Sequence, residues 1–114
     1  MFHLKAWLRK NPANPKEGVT NTLLRRGAHQ SQHLVQIKDH EKPHVHKKHD
    51  LTVFFLKGKG TLLLGAQRFP ITKGDVVFIP KGAAHHYIHK GRGRTVCCAV
   101  FSPPFDGKDT LPID

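Results

Sequence analysis

The sequence predicts an all-β fold, a sandwich or barrel, with one short helix at its start. Two observations predict it. From residue 19 onward, short apolar runs rich in β-branched and aromatic residues recur about every ten residues, separated by turn chemistry. No helix-period segment of ten or more residues follows residue 10.

Taken in order, residues 2–9 read as a short amphipathic helix, with Lys5 and Arg9 among the apolar positions. The stretch NPANPKEG, residues 11–18, breaks it with two prolines. The β-type runs are then VTNTLL, QHLVQI, LTVFFL, TLLLGA, DVVFIP, HHYIH and TVCCAVF. Between them lie KGKG, KGD, PKGA and KGRGR, where Gly58, Gly60, Gly74 and Gly82 are expected at positive φ. The tail SPPFDGKDTLPID holds three prolines and reads as an extended arm over the surface. The expected organisation is one domain, 1–114: helix and turn over 1–18, barrel over 19–101, arm over 102–114.

With 38% hydrophobic residues, the chain can build one modest core. No apolar run is long enough to span a membrane, and the start lacks the uninterrupted apolar stretch of a secretory signal. Cys97 and Cys98 are adjacent, so on a strand they face opposite ways and do not pair. Reduced thiols agree with a cytoplasmic setting. The formal charge is +11, but the basic residues are scattered and the aromatics sit inside apolar runs. That scatter argues against specific nucleic-acid binding and for a solvated basic surface, while the net positive charge favours an acidic partner if the protein binds a small molecule.

The chemistry concentrates in PHVHKKHD, residues 43–50. His44 and His46 are two apart, so on a strand they share a face, roughly 7 Å apart along the chain. Two such imidazoles can grip one metal ion with nitrogens about 2 Å from it. A third donor must come from elsewhere, and His85 in PKGAAHHYIH is the best candidate. Asp50 offers an oxygen, and His49 is a further donor. Imidazoles with or without a carboxylate suit Fe, Mn, Ni, Co or Zn. His3, His29, His33 and His40 read as surface or hydrogen-bonded residues. His86 points away from His85, whereas Tyr87 and His89 share its parity and are expected to line the same cavity, with Phe54 or Phe55 and Phe78.

These stretches resemble the two motifs of the cupin superfamily. The second, G-x5-P-x-G-x2-H-x3-N, is matched from Gly74 through Pro80, Gly82 and His85, with His89 in place of the Asn. The first, G-x5-H-x-H-x3or4-E-x6-G, is matched at His44 and His46, with Lys38 in place of its first glycine. Its carboxylate position falls on Asp50 counted from His46 and on Leu51 counted back from Gly58. Either Asp50 reaches the metal through a local irregularity, or three histidines bind it and water completes the shell.

The resemblance implies a small single-domain cupin, a jelly-roll barrel or double-stranded β-helix, with one divalent transition metal on His44, His46, His85 and Asp50. It allows a metal-dependent enzyme of the dioxygenase, isomerase or lyase type. By their parity with His85, Tyr87 and His89 either contact a small anionic or chelating substrate, with His89 as the acid–base group, or hydrogen-bond within the barrel. A non-catalytic binding or sensory module is the alternative. A homodimer is also expected. LTVFFL is apolar on both faces, a barrel interior needs one, and cupins commonly pair through the outer sheet.

Overall fold

The computed structural model describes residues 1–113. Helix α1 (Leu4–Lys10) buries none of its residues and ends where the Asn11 N–H donates to the Trp7 carbonyl. Ten strands follow: β1 (Val19–Arg26), β2 (Ser31–Ile37), β3 (His44–Val45), β4 (Asp50–Lys57), β5 (Lys59–Leu64), β6 (Gln67–Thr72), β7 (Val76–Ile79), β8 (His85–Lys90), β9 (Thr95–Ser102) and β10 (Leu111–Pro112). They form two antiparallel five-stranded sheets, ordered β1-β2-β9-β4-β7 and β10-β3-β8-β5-β6. This is the all-β jelly roll the sequence predicts, closed as two facing sheets with the core between them.

The seven apolar runs correspond to β1, β2, β4, β5, β7, β8 and β9. Three further strands carry weak signals. β3 and β10 are two residues each and stabilise one another, Leu111 opposite Val45 and Pro112 opposite His44. The C-terminal arm thus does more than wrap the surface: it adds a strand beside the histidine motif. β6 contains Pro70, which argues against an interior strand, but β6 is the edge of its sheet and pairs with β5 alone among the described residues.

The core packs the inward face of both sheets. Leu51, Val53 and Phe55 of β4 are buried against Val35, Ile37, Leu62, Ile79, Tyr87, Ala99 and Phe101. Alternation sends Phe54 outward, where it is 41% exposed. Phe78 also faces outward, at 58% exposure, and the cavity is lined instead by its neighbours Val77 and Ile79. Cys97 is buried, Cys98 is half-buried, and both are free thiols. Gly58, Gly74 and Gly82 have the expected positive φ. Gly60 does not; it is glycine because a Cβ there would collide with the Ile88 main-chain oxygen and the Tyr87 ring.

Candidate metal centre

Two strands of one sheet build the site. His44 of β3 sits directly opposite His85 of β8, and His46, one residue past the end of β3, brings a third ring to the same group. All three are buried. Their ring centroids lie 4.9 Å apart for His44–His46, 4.2 Å for His44–His85 and 5.3 Å for His46–His85. One ligand atom from each lies within 4.8 Å of the others, so the three could hold a metal ion.

The backbone fixes the tautomer of every ring. The Nδ1–H of His44 donates to the Lys42 carbonyl at 2.7 Å, that of His46 to Asp109 at 2.6 Å, and that of His85 to Ala83 at 3.0 Å. Carbonyl oxygens only accept, so each Nδ1 carries the proton and each Nε2 keeps its lone pair. Burial also lowers all three pKa values, His85 to about 4, outweighing the hydrogen bonds that oppose it. The rings are therefore neutral at pH 7, the form that binds a cation. Three neutral nitrogen donors fit a first-row divalent ion.

Asp50 stands apart from this group. Its carboxylate accepts the Lys81 N–H at 2.9 Å and pins the turn that precedes His85. His49 is committed as well: Nδ1 meets the Asp109 carboxylate at 2.6 Å and Nε2 meets the Pro104 carbonyl at 3.1 Å. Asp109, which the sequence reading missed, also accepts the N–H groups of Lys47 and Lys48. Desolvation pushes its carboxyl up, but the His49 bond and the two main-chain bonds together outweigh this and bring it down to about 2.

Behind the histidines lies a cavity of about 380 Å³ between the sheets, within the size range of small-ligand sites. His44, His46 and His85 line it, with Phe55, Tyr87, Phe101 and other apolar side chains. Phe55 and Tyr87 stack there at 5.4 Å. The Tyr87 hydroxyl is tied to Thr95 Oγ1 at 2.7 Å. His89 is not among the described residues that line the cavity. Its parity is right but its depth is wrong: four residues beyond His85 is about 13 Å along the strand. There its ring bonds Thr95 Oγ1 at 2.8 Å and the Gly91 carbonyl at 3.0 Å. Glu41, which the sequence reading passed over, lines the cavity instead. His33, as expected, is a hydrogen-bonded residue, held by Ser31 and Asn21. Among the described residues no helix is long and apolar enough to cross a membrane.

Fold and site together define a double-sheet β-barrel with a histidine triad inside one end. The chain belongs to the cupin family: the family model described as "Cupin domain" matches residues 33–101. An uncharacterized protein of Aquifex aeolicus is 48% identical over 84 residues, 74% of this chain and 69% of that one. A conserved double-stranded β-helix protein of Klebsiella pneumoniae superposes with a TM-score of 0.79 at 15% identity, covering 100% of this chain and 97% of that one. Pac13 of Streptomyces, described as a nucleoside dehydratase, superposes with a TM-score of 0.75 at 16% identity over 88% of this chain and 82% of its own. At these identities the structural likenesses show the fold alone.

Proposed function

We propose that this cupin is a metal-dependent enzyme acting on a small anionic or chelating substrate bound in the barrel. His44, His46 and His85 hold the metal, without Asp50. The observation that carries this reading is the set of three Nδ1–H groups committed to main-chain carbonyls, which leaves three Nε2 lone pairs in one buried group. Such an ion supplies Lewis acidity, or a site for dioxygen if it is redox-active. The protein supplies the apolar walls, which exclude water and orient the ligand, and Tyr87, whose ring and hydroxyl shape the interior. Lys47, Lys48 and Lys81 are exposed near the histidine motif and draw anions toward it. That Pac13 is a dehydratase of this fold supports an enzymatic use of such a barrel.

We also propose a homodimer through the outer face of β4 and β7, and a reducing, cytoplasmic setting. Phe54, Val76 and Phe78 are exposed together on that outer face, Phe54 opposite Val76 in the ladder. Two free thiols agree with the compartment.

The test begins with metal analysis of protein purified without a nickel column. The iron, manganese, nickel, cobalt and zinc forms are then screened against small 2-oxo acids, β-diketones, catechols and uronic acids. Metal-dependent turnover supports the enzyme. Binding that is weak for every acid and indifferent to metal would instead favour a non-catalytic binding module.

A further inference from the structure

The segment between β2 and β3 continues along β8 on the side that β3 pairs, as an irregular extension of the sheet. The His89 N–H donates to the Asp39 carbonyl at 2.7 Å, His40 bridges Ile88, and the Glu41 N–H donates to the Tyr87 carbonyl at 2.9 Å. Ile88 faces outward and is 37% exposed, and its bridge partner His40 is exposed too. The neighbouring residue along an extended chain points to the other face, so Glu41 points inward, beside Tyr87. It is the one carboxylic acid among the described residues lining the cavity. Its neighbours in that lining include Val35, Ile37, Phe55 and Leu62.

Burying a carboxylate among such walls is costly without a compensating partner. Desolvation raises Glu41 to about 7, against a smaller opposing hydrogen bond from the Tyr87 main chain. The residue as a whole keeps partial exposure, while its carboxyl is enclosed by protein. Near neutral pH the carboxyl is therefore present in both protonation states, the condition a proton-transferring group needs. The other titratable side chains lining the cavity are Lys42, His44, His46, His85, Tyr87 and Cys97. The three histidines have their Nδ1 protons fixed on carbonyls, and burial raises the Tyr87 hydroxyl and the Cys97 thiol, so neither ionises near neutrality.

Register gives the spacing. Glu41 lies opposite Tyr87 and His44 opposite His85, and these two β8 residues are two apart on one face. The acid and the histidine group are thus separated by one strand repeat, about 7 Å of backbone. A ligand of a few heavy atoms fits between them.

We propose that Glu41 is the proton-transferring catalytic residue of the cavity, acting on the carbon next to a carbonyl in a small ligand lodged between Glu41 and the His44–His85 pair. This rests on the metal-centre reading for the placement of the carbonyl. The Glu41 carboxylate takes the proton as the C–H bond breaks, and the electron pair stays on the ligand as an enolate whose oxygen lies at the histidine end. The Glu41 carboxyl then returns a proton to either end of the enolate system, the one it took or one exchanged with solvent in the meantime, and is restored as the carboxylate. The step needs no oxidant, reductant or further reactant. It makes proton exchange or isomerisation the elementary chemistry of the site.

The experiment compares the wild type with Glu41→Gln, which keeps the size and the hydrogen-bond acceptor of the side chain. Infrared spectra of the metal-free proteins should show a buried protonated carboxyl that titrates near neutral pH in the wild type and is missing from E41Q. With metal bound, exchange of the C3 hydrogens of 2-oxobutyrate into deuterium oxide, followed by NMR, should be slowed about 100-fold or more in E41Q. Metal content should be the same in both. The proposal is overturned if the titrating carboxyl is absent or survives in E41Q, if exchange is absent from the wild type or equal in the variant, or if E41Q loses the metal. A wild type that retains no metal would sink the metal-centre reading separately, and the infrared comparison would still decide whether Glu41 titrates in the cavity.

Discussion

The Nδ1–H of His46 donates to the main-chain oxygen of Asp109 across 2.6 Å, binding a histidine of the triad to a residue 63 positions later in the chain. The same residue's carboxylate receives Lys47 N–H at 3.0 Å, Lys48 N–H at 2.7 Å and the His49 ring at 2.6 Å. One side chain therefore shapes the turn after the H-x-H motif, while its backbone orients a donor ring. Immediately beyond it, β10 pairs with β3. The C-terminal arm is a clasp on the metal motif.

Asp109→Ala removes three hydrogen bonds to a buried carboxylate and leaves His49 without its acid. The expected loss of stability is roughly 3 kcal/mol, the cost of a few charge-assisted bonds less what water restores. Metal affinity should fall by less than the roughly 10–100-fold that follows direct loss of a ligating histidine's outer partner, because the main-chain oxygen that holds His46 remains and only its position, set by the turn and the arm, is loosened. Urea unfolding and competitive metal titration measure the two effects. An affinity equal to that of the wild type would show that the arm does not order the site.

The joint substitution of His44 and His46 by alanine should abolish metal content and leave the protein folded at lower stability, because both rings are buried and His46 packs on Phe101 and holds the Asp109 main chain. Asp50→Asn should retain a full equivalent of metal, since that carboxylate holds the Lys81 turn and not the histidine group. Its cost is about 1 kcal/mol of stability from a weakened turn. Elemental analysis separates the two. Full metal in the double variant, or loss of metal in D50N, would overturn the three-histidine assignment.

The outer face of β4 and β7 should be a dimer interface. Phe54, Val76 and Phe78 are 41%, 56% and 58% exposed, so neither α1 nor the arm covers them. Light scattering at tens of micromolar should give twice the chain mass, and Phe78→Lys should halve it by placing a charge in the apolar patch. A wild-type monomer at that concentration would rule the interface out.

Much of this architecture is legible in the sequence because it is written in local period and spacing. Leu51, Val53 and Phe55 alternate with Phe54, and that alternation sorts core from surface. His44, His46 and His85 lie at two fixed motif spacings, and the glycines and prolines around them hold the register. What is not legible depends on tertiary partners. Nothing in DGKDTLP announces that Asp109 will clasp His46. Parity places His89 with His85 and Tyr87, but parity carries no information on depth, and the cavity ends before it. Glu41 sits in a segment with no strand signal, so only the pairing with Tyr87 reveals which way it points.

That pairing also makes a prediction about stability. Glu41 is raised from 4.5 to about 7, so between those values the folded protein holds a proton that the unfolded chain has released. Stability must then fall as pH rises through this window, be full below the unfolded value and be lost above the folded one. The shift corresponds to at most about 3 kcal/mol. Buried His44, His46 and His85 have lowered pKa values and contribute the opposite slope, stability lost as pH falls, but they do so equally in wild type and variant. The difference between the two pH profiles therefore isolates Glu41. Glu41→Gln, which never ionises, should remove the decline and leave the variant more stable than the wild type on the alkaline side of neutrality. Urea unfolding of the metal-free proteins across this range measures it. Parallel profiles would mean that the Glu41 carboxyl is solvated after all, and that the enclosed acid inferred from its place beside Tyr87 does not exist in solution.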